Sequence, residues 1–330
     1  MAPFPRRRAL GAIGLALALG ASLLGAPAQA QGSGNPVRIF VGFPPGGGTD
    51  AIARMLADKL KDQLGQPVVV ENKAGAGGQI AAQALKAAAP DGTTFFISHD
   101  HTISILPLVT KNPGFDPAKD FVPVAGFATF VNAFAVSGGT PARSMSEYIT
   151  WVRTQRGGKG NVGVPAPASV PEFLVKLIGQ KYNLDLAAAP YRGSAPMIGD
   201  MLGNQIGAGV GSIPDFIENH KAGKLRVVAV MGNARQAAVP EAPTFAELGL
   251  AGFEDVPYYG FFAPAGTPQA AIDRFSGALQ KVVALPDVRD QLAKLGLTVG
   301  FMPQQQLADR ERAYSQTWAK LIRNLGFQPQ

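Results

Sequence analysis

Cysteine is absent from all 330 residues. Disulfides, a lipid-anchoring cysteine and thiolate metal sites are therefore excluded. Charged side chains make up only 16% of the chain, and its lysines and arginines are scattered among acids. A nucleic-acid binder gathers them in a stripe, so no nucleic acid is expected as a partner. No G-x-S-x-G elbow occurs and no serine is evidently paired with a base, so a hydrolase triad has no local support. After Leu24 no apolar run is long enough to cross a bilayer.

Glycine and proline are plentiful, at 40 and 27 residues. Before they begin to punctuate the chain, Arg6, Arg7 and Arg8 precede the apolar run Ala9–Leu24, and Ala28-Gln29-Ala30 follows. This is the order of a secretory signal, with cleavage expected after Ala30. The arginines raise the twin-arginine route, but the rest of that signal is poorly matched, and ordinary export is favoured. The formal charge of +7 falls to +4 without those three arginines, a weak field that suits an anionic small molecule. The product would be a soluble periplasmic protein of residues 31–330, enough for two domains.

From Val37 onward, strands and helices alternate. Expected strands are Val37–Phe43, Pro67–Val70, Thr94–Ile97, Asn161–Val164, Ile206–Val210, Leu225–Val230 and Tyr259–Ala263. Expected helices are Thr49–Leu64, Gln79–Ala88, Met145–Thr154, Pro171–Tyr182, Met197–Leu202, Gln269–Val283, Pro286–Leu295 and Ala308–Leu325. The order predicts α/β architecture with a parallel sheet. The last elements hold too few strands for a sheet of their own and should pack back on the first domain. The boundaries expected are 31–133 and 256–330 for one domain and 134–255 for the other. Chain crossings near 130–137 and 253–257 would make a hinge beside a cleft.

Residues 42–49, GFPPGGGT, have the spacing of a phosphate loop, but Gly48 stands where the phosphate-binding lysine is required. Residues 46–51, GGGTDA, imitate a dinucleotide fingerprint, with Glu71 ending the next strand. Two prolines stiffen that turn, and an exported protein is not expected to meet NAD. No cofactor is expected. A carboxylate fits the turn best, since it needs only a few N–H donors and a hydroxyl such as Thr49, which can also cap the helix. Tight strand–helix packing alone is the other reading. Ser98-His99-Asp100-His101 offers solute contacts, a partial zinc set or locally satisfied histidines. His220 reads as exposed in the other domain. Ser169 and Ser194 begin helices after strand ends. Arg192 could pair with a carboxylate or stand in solvent. Tyr258 and Tyr259 could wall the cleft or pack the hinge.

Taken together, PVRIFVGFPPGGGTDAIARMLADKL (36–60), VVVENKAGAGGQIAA (68–82), PDGTT (90–94), PYRGSAPMIGDMLGNQI (190–206), GKLRVVAV (223–230), PEAPTFAELGLAGFE (240–254) and YYGFFAPAGTP (258–268) resemble the periplasmic solute-binding receptors of tripartite tricarboxylate transporters, the Bug family. The resemblance implies a two-lobed periplasmic-binding-protein-like fold closing on one small organic acid. It implies a monomer that hands its solute to two membrane subunits and performs no catalysis. An exported α/β enzyme acting on a small carboxylate, or a ligand sensor without a transport role, are the alternatives.

Ligand contacts carried over from the family fall on Phe43, Gly46, Gly47, Gly48, Thr49, Asp50, Ser98 and His99 in one lobe. In the other they fall on Pro165, Ala166, Ser169, Tyr191, Arg192 and Ser194. Bridging water would let such a neutral loop hold an anion. The chain departs from the family pattern at Pro165-Ala166-Pro167-Ala168-Ser169, where a glycine-rich P-G-x-G-S-like turn is usual. Tyr258 replaces a frequent tryptophan, and Arg192 the lysine of a Y-K-G turn. These departures leave a less common acid, or a neutral aromatic or amide solute, open.

Overall fold

The computed structural model describes residues 35–252, 254–324 and 326–329; the expected signal segment lies outside them. The chain forms two α/β lobes, each built on one sheet. The first half-lobe runs β1 (Val37–Val41), α1 (Gly48–Leu64), β2 (Val68–Asn72), α2 (Gln79–Lys86) and β3 (Thr94–His99). Two short helices, α3 (Leu106–Val109) and α4 (Pro117–Asp120), lead to β4 (Phe121–Thr129). The second lobe holds β5 (Asn132–Ser137), α5 (Met145–Gln155), β6 (Lys159–Val164), α6 (Val170–Tyr182) and β7 (Asp185–Pro190). It continues with α7 (Ser194–Leu202), β8 (Ala208–Ser212), α8 (Ile213–Lys221) and β9 (Leu225–Val230). The chain then returns to the first lobe as β10 (Tyr258–Pro264), α9 (Gln269–Ala284), α10 (Pro286–Lys294), β11 (Thr298–Met302) and α11 (Gln304–Asn324).

The first sheet has the order β11-β4-β10-β3-β1-β2 and the second β7-β6-β8-β5-β9. Both are mixed, which corrects the expectation of a parallel sheet. β10 runs antiparallel to β3 and β4, and β5 antiparallel to β8 and β9. The cause is the double crossing. β4 leaves the first lobe at the end where the cleft lies, and β10 enters at that same end, so it must run the other way. The crossings lie side by side: Phe130 N donates to Pro257 O at 3.1 Å and Met231 N to Asn132 O at 2.8 Å.

Apolar spacing explains how the helices seat. In α1, Ile52, Ala53, Leu56, Ala57, Leu60 and Leu64 make one buried stripe. In α11, Leu307, Tyr314, Trp318 and Ile322 do the same. That stripe belongs to a core that is continuous with the second lobe, where Trp318 stacks on Phe173 of α6 at 6.3 Å between ring centroids.

Candidate functional site

The strand ends of both sheets that follow the helix-bearing connections meet at the cleft, the usual place for a ligand in an open α/β sheet. On the first-lobe side β1 gives way to the turn 44–47, and α1 starts at Gly48. The turn packs tightly: a Cβ on Gly42 would come within 2.8 Å of the Gly78 backbone, so a side chain is excluded there. Thr49 does not cap α1. Gly47 holds the cap position without a side-chain bond, and the buried Thr49 hydroxyl meets the Tyr259 hydroxyl at 3.1 Å. Asp50 turns away from the cleft. It accepts from Gly46 N at 3.0 Å, from Arg54 Nε at 3.0 Å and from Asn72 Nδ2 at 2.8 Å. Burial opposes its charge, but these bonds prevail and hold its carboxyl below the usual range.

β3 supplies the floor. His99 stacks on Phe43 at 5.1 Å and meets Phe130 edge-on at 5.9 Å. Its Nδ1 lies 3.2 Å from Asp100, whose other oxygen accepts from the buried Tyr314 hydroxyl at 2.9 Å. The chain then makes one wide π-helical turn, His101–Ile105. Such turns are frequent at functional sites. His101 is buried and its Nδ1 has no hydrogen-bond partner.

The second-lobe side comes from three strand-to-helix bends. At 165–169, Ala168 has a φ of 49°, so the backbone keeps a shape that suits glycine although alanine stands there. Ser169 does not cap α6 through its side chain: its hydroxyl donates to Ala166 O at 2.7 Å. Ser194 opens α7, and its hydroxyl donates to Asp215 Oδ2 at 2.6 Å. Ser212 precedes α8 and donates to the same oxygen at 2.5 Å. The other oxygen of Asp215 crosses the cleft and accepts from Gly48 N, at the start of α1, at 2.8 Å. An acceptor at a helix N-terminus meets unsatisfied N–H groups and the positive end of the helix dipole.

Between these walls lies a cavity of ≈ 40 Å³, room for a few waters when the walls stand this close. Phe43, Pro44, Phe130, Val170 and Pro171 give it apolar faces. Its polar lining includes Asn132, Ser169, Ser194 and Ser212. Among the described residues no lysine or arginine lines it, and its charged groups are Asp100 and Asp215. No group of three or more histidines, cysteines and acids stands placed to hold a metal ion among the described residues.

Residues 52–327 match the model of the TctC family, the tripartite tricarboxylate transporter family receptor. The chain belongs to that family. Receptors of this family are periplasmic solute-binding proteins serving a multi-subunit transporter, and they are not catalysts. The receptor is 32% identical to a UPF0065 protein from the tcbD-tcbE intergenic region of Pseudomonas sp. (strain P51), over 98% of this chain and 95% of that one. Among solved structures it is similar to Rpa4515 of R. palustris with adipate, at a TM-score of 0.83 and 29% identity, covering 89% of this chain and 98% of that one. It is also similar to MatC (Rpa3494) from Rhodopseudomonas palustris with bound malate, at 0.79 and 28%, covering 87% and 98%.

In this receptor Phe43, Gly47, Gly48, Thr49 and His99 line the cavity from one side. Pro165, Ala166, Ser169 and Ser194 line it from the other. Gly46, Asp50, Ser98, Tyr191 and Arg192 do not. Ser98 is buried and its hydroxyl faces its neighbour's carbonyl. Tyr191 donates to Asp200 at 2.7 Å, and burial with that acid pushes its hydroxyl up to about 12. Arg192 is exposed. Tyr258 and Tyr259 are buried beneath the site, bonded to Ser104 and Thr49. His220 is half-buried rather than exposed, 2.8 Å from Glu241. Sequence reasoning missed Asp215, Ser212, Asn132 and Phe130. Ser212-Ile213-Pro214-Asp215 has the S-x-x-D form of a helix start after a strand, a signal that could have found the first two.

His101 gives the fold a pH dependence. Burial, with His99 alongside, lowers its pKa from 6.5 to about 4. Between those values the unfolded chain binds the proton and the native chain does not. Stability is therefore full above pH 6.5 and falls as pH drops towards 4. This group should contribute a loss of about 1.6 kcal/mol in urea unfolding between pH 6.5 and pH 5, less than the full value of about 1.4 kcal/mol per pH unit because the unfolded imidazole is already half protonated at the upper end. His101→Gln should flatten that slope.

Proposed function

We propose that this receptor captures a small carboxylate-bearing solute in the cavity described, closes its lobes on it, and passes it as a monomer to two membrane subunits of a transporter. The moving bodies are the described residues within 31–133 and 256–330 on one side and within 134–255 on the other. The observation that carries this reading is the bond from Gly48 N to Asp215. It joins the two lobes directly across the cleft, beside the strand ends of both sheets. Residues of both lobes thus line one enclosed volume, the arrangement that makes affinity depend on closure. Relatives with adipate and with malate support the carboxylate. Ordered water supplies the contacts that a lining without cations cannot make directly.

Phe43, Gly47, Gly48, Thr49 and His99 contact the solute from the first lobe, and Pro165, Ala166, Ser169 and Ser194 from the second. Asp50, Gly46, Ser98, Tyr191 and Arg192 act by shaping those walls. The solute leaves unchanged, as befits a family whose receptors are not catalysts.

A thermal-shift screen of small organic acids and their amides tests the reading. A ligand at about 100 times its Kd adds about 2.7 kcal/mol, which should raise Tm by about 5 °C. Chromatography of the same mixtures should return the solute intact. Turnover of the solute, or no shift with any member, would refute the proposal.

A further inference from the structure

The place where the first lobe could grip an anion is already taken. Gly48 N–H, at the N-terminus of α1, donates to Asp215, a carboxylate of the opposite lobe. That carboxylate has about four acceptor positions, and Gly48 N, the Ser194 hydroxyl and the Ser212 hydroxyl fill three. One lone-pair position remains, on a group that lines the cavity. No lysine or arginine lines the cavity beside it among the described residues, and Asp100 adds a second acid. His101, buried and lacking a partner at Nδ1, adds a polar group that the fold leaves unsatisfied. Its lowered pKa keeps it neutral at physiological pH, so it does not offset the acids.

We infer that the pole of the solute meeting Asp215 is a hydrogen-bond donor without negative charge, an amide or a protonated amine, and that this receptor prefers such a solute to a dicarboxylate. The inference rests on the receptor reading above and names the class of ligand within it. A second carboxylate at this point would face Asp215 as a like charge, with no lysine or arginine to separate them, and would have to displace it from Gly48. An amide N–H or an ammonium instead completes the acceptor set. The apolar faces of Phe43 and Phe130 accommodate the methylene or aromatic body between the two poles. Asp215 is thus a specificity-determining residue whose charge selects against dianions.

The test uses three-, four- and six-carbon dicarboxylates, each with its own monoamide and diamide, so that shape stays constant while charge changes. Thermal shift followed by calorimetry is run on the wild-type receptor and on Asp215→Asn, which keeps the size of the side chain and removes its charge. In the wild type at least one monoamide should bind ten-fold or more tighter than its parent diacid. In Asp215→Asn that preference should shrink or reverse, with the diacid gaining ten-fold or more. Asp215→Ser serves as a second variant should the asparagine disturb the start of α8. Diacids binding the wild type as tightly as their amides, or a ratio unchanged by both variants, would overturn the inference and leave the receptor reading standing. No binding by any member to any of the three proteins would remove the receptor reading, and the inference with it.

Discussion

Gly48→Val should abolish solute binding while leaving the folded protein intact. A Cβ at this position would stand 2.9 Å from Asp215 Oδ1 and 3.0 Å from Cβ of Pro214. The Asp215 side chain can rotate away, but the Pro214 ring is fixed in the first turn of α8 and cannot. The lobes must then separate. Gly48 is the first residue of α1 with ordinary helical backbone, so a side chain is no burden within its own lobe. Calorimetry should therefore show a loss of at least 100-fold in affinity. Small-angle scattering should show no compaction on adding a ligand that compacts the wild type. Wild-type affinity in this variant would mean that the lobes do not close across Gly48.

Trp318→Ala should cost about 3–5 kcal/mol in urea unfolding, the range for a large aromatic removed from a core. Trp318 lies on α11, is 2% exposed, and sits 6.0 Å from the Tyr314 ring as well as against Phe173. Phe173 is in turn met edge-on by Phe327 at 5.4 Å. Since α11 packs on the first sheet and Phe173 belongs to the second lobe, the truncation opens a hole shared by both. The unfolding midpoint should fall with little change in slope. A loss below 1 kcal/mol would show that the stack carries little of the joint between lobes.

What the sequence made legible follows from the range of the interactions. Leu225–Val230 is apolar except for Arg226, and its ends were readable to the residue. β4 was not, because Pro123 and Gly126 interrupt it, and the strand survives by pairing with β10 and β11, both more than a hundred residues later. β7 is rich in alanine and ends in proline, weak strand chemistry that is tolerable at a sheet edge. The bends around residues 44–49, 165–169 and 191–194 were legible because glycine, proline and serine mark a strand turning into a helix. Asp50 and Asp215 could not be told apart in the same way. Both are acids in the first turn of a helix, and only the folded chain reveals that Asp50 binds its own turn while Asp215 reaches a residue 167 positions away.

The strand order of the first sheet also governs how the chain comes together. β3 and β4 do not touch; β10 lies between them and joins both. Its residues follow the entire second lobe, so the first sheet stays in two pieces until Tyr258–Pro264 arrive. A chain shorter than that leaves one edge of β3 and both edges of β4 bare, each open to pairing with another molecule. Pairings so distant in sequence also form slowly. The first lobe of a nascent chain therefore stays loose until the whole second lobe has been made, which leaves proteases and chaperones a long interval in which to find it.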